Sequence, residues 1–150
     1  MDNAFCIRLS CGDDYTAIEE IEQQVFSNPW PPEAFSSMLF PWAFTLLSNN
    51  EVIGYIFYSG VQEEMVIVNF AVKPEFQGRG LGEYLLTETM RIMNKNGVQR
   101  FYLDVRLSNH RARRLYEKVG FYEIGIRKKY YNNPDEDAIV MGMEFNDLRI

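Results

Sequence analysis

The sequence predicts a single α/β domain in which helices pack on a mixed β-sheet. Three segments rich in β-branched and aromatic residues lie between residues 42 and 73, and helical and strand patterns alternate from residue 81 onward. Consecutive strands followed by alternating helices and strands indicate a mixed sheet with helices on its faces. A length of 150 residues with 47% hydrophobic residues suits one compact core. We therefore expect one domain over residues 1–150, with the element order βα(α)βββαβαββ.

The first half of the chain is predicted to combine one strand, two helical segments and a three-stranded meander. Asp13 or Asp14 can cap the first helix, and the prolines of the segment 28–32 end it. Asn49 and Asn50 form a turn signal between the first two strands of the meander. The predicted bounds are 4–10 for the first strand, 32–39 for the second helical segment, and 42–48, 52–61 and 64–73 for the meander.

The second half of the chain is predicted to alternate helices with strands. Leucines and methionines recur at helical spacing from Leu81 to Met93, and Gly97 can terminate that helix. Ser108 is the predicted N-cap of a further helix, which Gly120 ends. The three strands of this half are predicted at 101–106, 121–130 and 138–145.

Composition and charge argue against several classes of protein. The chain contains no run of 18 apolar residues, so no transmembrane helix is expected, and its first ten residues lack the pattern of a signal peptide. A formal net charge of −6 argues against nucleic-acid binding and is compatible with a basic partner. Cys6 and Cys11 fit neither a disulfide framework nor a zinc pattern. We therefore expect reduced thiols in a cytoplasmic protein that has no metal site.

Two acidic clusters and the single histidine are interpreted as surface features. Solvated surface is the simplest interpretation of both clusters, and attraction of a cationic substrate is the functional alternative. His110 is expected on the surface at a helix start. The clusters consist of Glu19, Glu20 and Glu22, and of Asp135, Glu136 and Asp137.

A glycine-rich loop over residues 77–82 (QGRGLG) is the most informative stretch of the chain. Glycines allow a backbone to approach a ligand closely, and the N–H groups at the start of the following helix favour an anion. Arg79 adds a cationic donor, so the loop is typical of a phosphate cradle. A nucleoside-triphosphatase loop is excluded because Glu83 follows the last glycine. A dinucleotide-binding loop, whose third glycine would come one residue later, and a glycine-rich turn without a ligand both stay open.

This loop resembles the Q/R-x-x-G-x-G/A signature of the GCN5-related N-acetyltransferases (GNAT). The resemblance implies that the loop binds the pyrophosphate of acetyl-CoA, and the predicted element order also matches the fold of that family. It further implies that the sheet is mostly antiparallel, with one parallel pair of strands that separate to admit the pantetheine arm. That pair comprises the strand ending at Val72 and the strand at 101–106. The implied acetyl-CoA-binding residues in this region are Phe70, Ala71, Val72, Gln77, Gly78, Arg79, Gly80, Leu81 and Gly82.

A second stretch, LDVRLSNHRARRLYEKVGFY at residues 103–122, is also similar to this family. The resemblance implies that Asn109 contacts the pantetheine arm and that Tyr116 protonates the departing thiolate. From the residues alone, Tyr116 is better explained as an aromatic side chain on the apolar face of a helix, beside Leu115.

A third stretch, RKKYYNNPDEDAIVM at residues 127–141, resembles the branch that includes the ribosomal-protein-alanine N-acetyltransferases. The segment Asn28-Pro29-Trp30, followed by Phe35, resembles the substrate-side segment of the same branch. The resemblance implies that Trp30, Tyr130 and Tyr131 bind the substrate, which is the N-terminus of a protein, and ribosomal proteins are basic. A strand-end aromatic pair is the structural alternative for the two tyrosines. A small-amine acetyltransferase and a non-catalytic acyl-CoA-binding protein remain the alternative functions.

Asp104 is a departure from the branch, whose members often have glutamate at this position as a proposed general base. Because aspartate is one methylene shorter, we expect it to act through a bridging water or to have no part in catalysis. An α-amine with a pKa of about 8 is roughly 10% neutral at pH 7, so a weak base suffices for it. Glu20 and Gln23 on the first helix are weaker candidates for substrate binding.

Overall fold

A computed structural model describes residues 4–37 and 42–149. The helices and strands of this part follow one another in the order predicted from the sequence. The predicted end of the second helix at residue 39 lies outside the described residues. The strands are β1 (Phe5–Leu9), β2 (Trp42–Ser48), β3 (Glu51–Val61), β4 (Glu64–Val72), β5 (Arg100–Arg106), β6 (Tyr122–Tyr131) and β7 (Glu136–Glu144). The helices are α1 (Tyr15–Val25), α2 (Pro32–Ser37), α3 (Leu81–Lys95) and α4 (His110–Val119).

The strands form a mixed sheet in the order β1-β2-β3-β4-β5-β7-β6. The pairs β1–β2, β2–β3, β5–β7 and β6–β7 are antiparallel, whereas β4 and β5 run parallel. The parallel register extends from Glu64 opposite Arg100 to Ile67 opposite Leu103, and both strands continue beyond that last pair. The predicted mixed sheet with one parallel pair is therefore confirmed.

The described chain divides into two compact units. The first comprises the described residues up to Ser59 together with Asn69–Thr89, and the second comprises Gly60–Val68 with the described residues from Met90 onward. Because β3, β4 and α3 each contribute residues to both units, the division does not follow the ends of single elements.

The core of the first unit is built around aromatic side chains. Phe35 packs edge-on against Tyr55 and Phe57, with ring centroids 6.4 and 5.8 Å away. Trp42 stacks on Phe44 at 6.2 Å, and both belong to β2. Large rings of this kind bury much apolar area, so they carry a large share of the stabilisation of a small unit.

The core of the second unit lies along β5 and β7. Alternate residues of β5, namely Phe101, Leu103 and Val105, are buried, as the period-2 pattern of a strand requires. β6 lies at the end of the sheet order, and its apolar side chains Tyr122 and Ile126 are about half exposed. The second unit thus has a buried centre and an exposed outer strand.

The predicted cap of α4 is wrong by one residue. Asn109, not Ser108, is the N-cap, and its side-chain oxygen accepts a hydrogen bond from the backbone N–H of Ala112 at 3.2 Å. Both residue types favour this position, so the sequence alone did not separate them. The predicted end of α4 at Gly120 is confirmed.

Asp14 stands at the N-cap position of α1 but makes no capping hydrogen bond there. Its carboxylate, only 3% exposed, instead accepts two hydrogen bonds from the Arg8 guanidinium, at 2.7 and 2.9 Å, and one from the backbone N–H of Cys11. The Arg8 hydrogen bond is the main cause that lowers the pKa of Asp14 to about 2, against the opposing effect of burial. This interaction ties β1 to the start of α1.

The Asp14→Asn substitution should lower the free energy of unfolding at pH 7 by about 1–2 kcal/mol, because it removes the ion pair with the half-exposed Arg8. A carboxylate with a depressed pKa stabilises the fold above its unfolded pKa and loses that effect as the pH falls through its folded pKa. The difference between wild type and variant should therefore shrink between pH 4 and pH 2. Urea unfolding measures it, with Asp13→Asn at the exposed neighbouring position as control. A difference that does not vary with pH would contradict this account.

Candidate active site

The glycine-rich loop follows β4 in the first unit and leads directly into α3. Gly78 and Gly80 have positive φ angles of 80° and 79°, which side-chain-bearing residues rarely adopt. A Cβ atom placed on either glycine would meet no other atom within 4 Å, so open space lies beside this backbone. The first helical hydrogen bond of α3 runs from Tyr84 N–H to Gly80 C=O. The loop therefore offers N–H donors at a helix start next to open space, which suits an anion.

Two side chains hold the loop in this form. Gln77 donates from Nε2 to the carbonyl of Val72 at 2.8 Å, which links the loop to the end of β4. Arg79 donates to the carbonyl of Glu75 at 3.2 Å, and its guanidinium lies 5.1 Å from the centroid of the Phe76 ring. Both residues were predicted to bind acetyl-CoA, and in the structure both also shape the loop.

The other predicted acetyl-CoA-binding residues of the first unit lie at the end of β4 and at the start of α3. Ala71 and Val72 are buried, and Phe70 is partly exposed. The backbone N–H of Phe70 donates to the side-chain oxygen of Asn69 at 3.0 Å. Leu81 and Gly82 are the first two residues of α3, and the Leu81 side chain is buried. Leu81 therefore contributes to the core through its side chain, which leaves its backbone as the part suited to a ligand.

Glu22 is the residue of the first unit that sequence reasoning missed. It was interpreted as part of a solvated acidic cluster, but it is 2% exposed, so that interpretation is wrong for this residue. It follows Ile18 by four positions on the buried face of α1. This helical spacing was the available signal, and the charge of the side chain obscured it.

The Glu22 carboxylate accepts three hydrogen bonds. One comes from the Tyr55 hydroxyl, one from Asn69 Nδ2 at 2.8 Å and one from the backbone N–H of Trp30 at 2.9 Å. Burial, together with the neighbouring Glu22 charge, raises the pKa of Tyr55 well above its ordinary value, so the hydroxyl remains a donor. Glu22 thus joins α1, β3, β4 and the segment that contains Trp30.

Trp30 is half-buried, and its ring lies 5.4 Å from that of Phe35. Its predicted role in substrate binding stays a prediction. Glu20 and Gln23, the weaker candidates on α1, are exposed. The backbone of Trp30 is fixed by a buried charge while part of its side chain is accessible, which is compatible with a binding residue.

Tyr116 lies on α4 in the second unit and is 8% exposed, with its ring 5.7 Å from that of Phe121. Burial and, to a smaller extent, the neighbouring Tyr131 raise the pKa of Tyr116 above its ordinary value. The phenol therefore keeps its proton at neutral pH and can donate it. Asn109, predicted to contact the pantetheine arm, caps the same helix, and the neighbouring His110 is exposed as predicted.

Asp104 lies on β5 and forms an ion pair with Arg127 that the sequence did not reveal. Arg127 of β6 donates from Nε to its carboxylate at 3.2 Å, and the same guanidinium lies 5.6 Å from the centroid of the Tyr130 ring. The Asp104 side chain is 22% exposed, so it remains accessible to water or to a small group. Arg127 therefore links the candidate base to one of the two predicted substrate tyrosines.

Tyr130 and Tyr131 end β6 with their ring centroids 5.1 Å apart. Tyr130 is 53% exposed, whereas Tyr131 is partly buried beneath the guanidinium of Arg106, 4.5 Å from its ring centroid. Burial, with the Asp104 charge as the next cause, raises the pKa of Tyr131 to about 12. Because Tyr131 interacts electrostatically with both Tyr116 and Asp104, these three predicted site residues are brought together.

The second acidic cluster is also more than solvated surface. Glu136 accepts a hydrogen bond from the backbone N–H of Ser108 at 2.5 Å and pairs with Arg106 at 3.3 Å. Asp137 accepts from the backbone N–H of Lys129 at 2.8 Å. Hydrogen bonds from Ser108 and from Lys129 are the main causes that lower the pKa values of Glu136 and Asp137, respectively. Both acids are partly exposed, so the surface interpretation holds for them, but each also binds a backbone N–H group of another segment.

Within residues 4–37 and 42–149, no three His, Cys, Asp or Glu side chains are grouped so that they could hold a metal ion. None of the helices in that part of the chain combines the length and the apolar character needed to cross a membrane.

The sequence matches the acetyltransferase (GNAT) family over residues 15–121, a stretch that includes the glycine-rich loop, Asp104 and Tyr116. The chain belongs to this family of acetyl-CoA-dependent acetyltransferases. The suspected resemblance and the predicted class of enzyme are thus confirmed.

Its relatives include ribosomal-protein acetyltransferases. A protein of Bacillus subtilis named putative [ribosomal protein bS18]-alanine N-acetyltransferase is 35% identical, covering 90% of this chain and 92% of the relative. The [ribosomal protein bS18]-alanine N-acetyltransferase of Haemophilus influenzae is 38% identical, covering 85% of this chain and 90% of the relative. The crystal structure of the ribosomal-protein-S18-alanine N-acetyltransferase from Escherichia coli superposes with a TM-score of 0.89 at 34% identity, covering 95% of this chain and 94% of that chain.

Replacing Glu22 by Gln should lower the free energy of unfolding by about 2–4 kcal/mol, because one amide oxygen cannot accept from three buried donors. Urea unfolding at pH 7 measures the change. Glu20→Gln, the same substitution at an exposed position of the same helix, is the matched control and should have little effect. Equal effects of the two substitutions would show that the hydrogen bonds accepted by the Glu22 carboxylate do not stabilise the fold.

Proposed function

We propose that this protein transfers an acetyl group from acetyl-CoA to the α-amine at the N-terminus of a protein, and that the substrate is a ribosomal protein with an N-terminal alanine. The observation that carries the proposal is the double contact of Arg127, which pairs with the candidate base Asp104 at 3.2 Å and lies 5.6 Å from the ring centroid of Tyr130, a predicted substrate residue. The names of the relatives, at 33–38% identity over most of the chain, support the choice of substrate.

Acetyl-CoA would be held through its phosphates by the loop of the first unit. The positive φ angles of Gly78 and Gly80, the open space beside them and the helix start after them fit an anionic group. In this role the backbone N–H groups of residues 78–82 and the Arg79 guanidinium act as donors. Bound acetyl-CoA supplies the thioester from which the acetyl group is transferred.

Proton transfers would be carried by two residues of the second unit. Asp104, as the carboxylate of its ion pair with Arg127, accepts the proton that the amine loses, directly or through a water molecule. Tyr116 donates its proton to the sulfur of the leaving group, because its raised pKa keeps the phenol protonated. The two side chains thus divide the acid and base roles.

A protein N-terminus suits the surroundings of Tyr130 better than a small amine does. The partly exposed Tyr130 and Tyr131 provide faces on which the first residues of a peptide can lie. The net charge of −6 favours a basic partner through long-range attraction. The proposed substrate assigns the reaction to the cytoplasm, where ribosomal proteins are made.

A basic peptide that begins Ala-Arg-Tyr should release free thiol from acetyl-CoA in the presence of the protein. The control is the same peptide with a blocked N-terminus and a free lysine side chain, which should release none. The expected difference arises because a lysine amine, with a pKa of about 10.4, has far less neutral form at pH 7 than an α-amine. Release only with the lysine peptide or only with polyamines would overturn the proposed substrate class.

The Tyr116→Phe variant should lower kcat about 100-fold with little change in either KM, since a general acid contributes at least that factor. In the wild type, kcat/KM should rise with pH as the α-amine deprotonates. It should not decrease again at any pH up to 10, because the pKa of Tyr116 is raised. Steady-state kinetics from pH 6 to pH 10 test both statements. Tyr102→Phe, at a partly exposed β5 position without a proposed role, is the matched control. A kcat equal to that of the control would exclude Tyr116 as the acid.

A further inference from the structure

Arg106 and Glu136 form an interaction in the second unit that no step of the proposed chemistry uses. Arg106 ends β5, and Glu136 begins β7, thirty positions later. Their side chains are only 22% and 14% exposed and lie 3.3 Å apart. We call this pair, with the backbone groups that it binds, the Arg106 clasp. An ion pair with such low exposure is less screened by solvent than an ordinary surface pair.

The arginine side of the clasp holds the turn that follows the two substrate tyrosines. Nη2 donates to the carbonyl of Asn132 at 2.7 Å, and Nη1 donates to the carbonyl of Pro134 at 3.0 Å. The guanidinium plane also covers the Tyr131 ring. Because a planar guanidinium presents donors in a fixed arrangement, one side chain fixes both the turn and the ring.

The glutamate side of the clasp holds a different segment. Oε2 of Glu136 accepts from the backbone N–H of Ser108, next to the N-cap Asn109 and the start of α4. Under the proposed function, this segment contacts the donor molecule, whereas Tyr130 and Tyr131 contact the peptide. One ion pair therefore joins the backbone on the acetyl-CoA side to the backbone on the peptide side.

We propose that the Arg106 clasp couples the two substrates, so that CoA or acetyl-CoA bound near Ser108 and Asn109 increases the affinity for the peptide. This inference rests on the proposed function. A ligand that orders the segment 107–109 also orders Glu136, then Arg106, and through Arg106 the turn and Tyr131. The ordering that the peptide would otherwise have to impose is then already present, which makes its binding tighter. Linkage requires the peptide to increase CoA affinity by the same factor.

Calorimetric titration of the Ala-Arg-Tyr peptide, with and without saturating CoA, tests the coupling. In the wild type, CoA should tighten peptide binding about 10-fold, within the usual range for coupled sites. In Arg106→Gln and in Glu136→Gln the ratio of the two peptide Kd values should fall to about 1, while the Kd of CoA measured alone changes little. The double variant should show no further loss, because the two residues act as one unit.

Arg100→Gln is the matched control. Arg100 is also on β5 and pairs with Glu64 at 2.9 Å, but it holds neither the turn nor Ser108. It should keep the 10-fold ratio of the wild type. Thermal unfolding of all variants identifies a loss of fold, and Arg106→Lys, which keeps the charge without the planar donors, should recover only part of the coupling.

Two outcomes would overturn the inference: a ratio near 1 in the wild type, or an unchanged ratio in Arg106→Gln and Glu136→Gln. The turnover of the wild type on the same peptide separates this failure from that of the proposed function. If the N-terminus is acetylated but the ratio is unaffected by the substitutions, only the coupling is wrong. If the wild type neither acetylates nor binds the peptide, the proposed substrate class is wrong, and the clasp has no peptide to couple.

Discussion

The first unit depends on the burial of one charge. A carboxylate removed from water is tolerated only when its lone pairs are satisfied, and Glu22 meets that condition with donors from three separate segments. The need to satisfy this carboxylate also fixes the groups that donate to it. It holds the Trp30 backbone close to α1, and it fixes Asn69, whose side-chain oxygen in turn accepts the N–H of Phe70. The end of β4, which leads to the glycine-rich loop, is thereby positioned by electrostatics as well as by apolar packing.

The second unit organises its candidate site by pairing several side chains and backbone groups with fixed partners. Arg127 holds Asp104, Arg106 covers Tyr131, and Asp137 binds the backbone of Lys129. Tyr116 differs from these because its proton is retained mainly through burial. A site built in this way keeps an accessible carboxylate and a protonated phenol available at the same pH, which acid–base transfer requires.

The parts of the protein that were predicted from the sequence depend on patterns local in the chain. The glycine-rich loop, the helices and the strands follow from spacing within a few residues, and the error at Ser108 is a choice between two adjacent residues that both favour a cap. The contacts that were missed at Glu22 and Glu136 have another origin. The partners of Glu22 lie 8, 33 and 47 positions away, and Glu136 is 30 positions from Arg106. A local sequence pattern predicts that a charged side chain is solvated, because partners so far away in the chain are recognised only in the folded structure.

The distribution of tryptophan has a spectroscopic consequence. The chain has two tryptophans, Trp30 and Trp42, and both belong to the first unit. Their intrinsic emission therefore reports on that unit alone, whereas absorbance or circular dichroism reports on the whole chain. Any difference between an emission-monitored transition and one followed by far-ultraviolet dichroism would measure directly whether the two units lose their structure together.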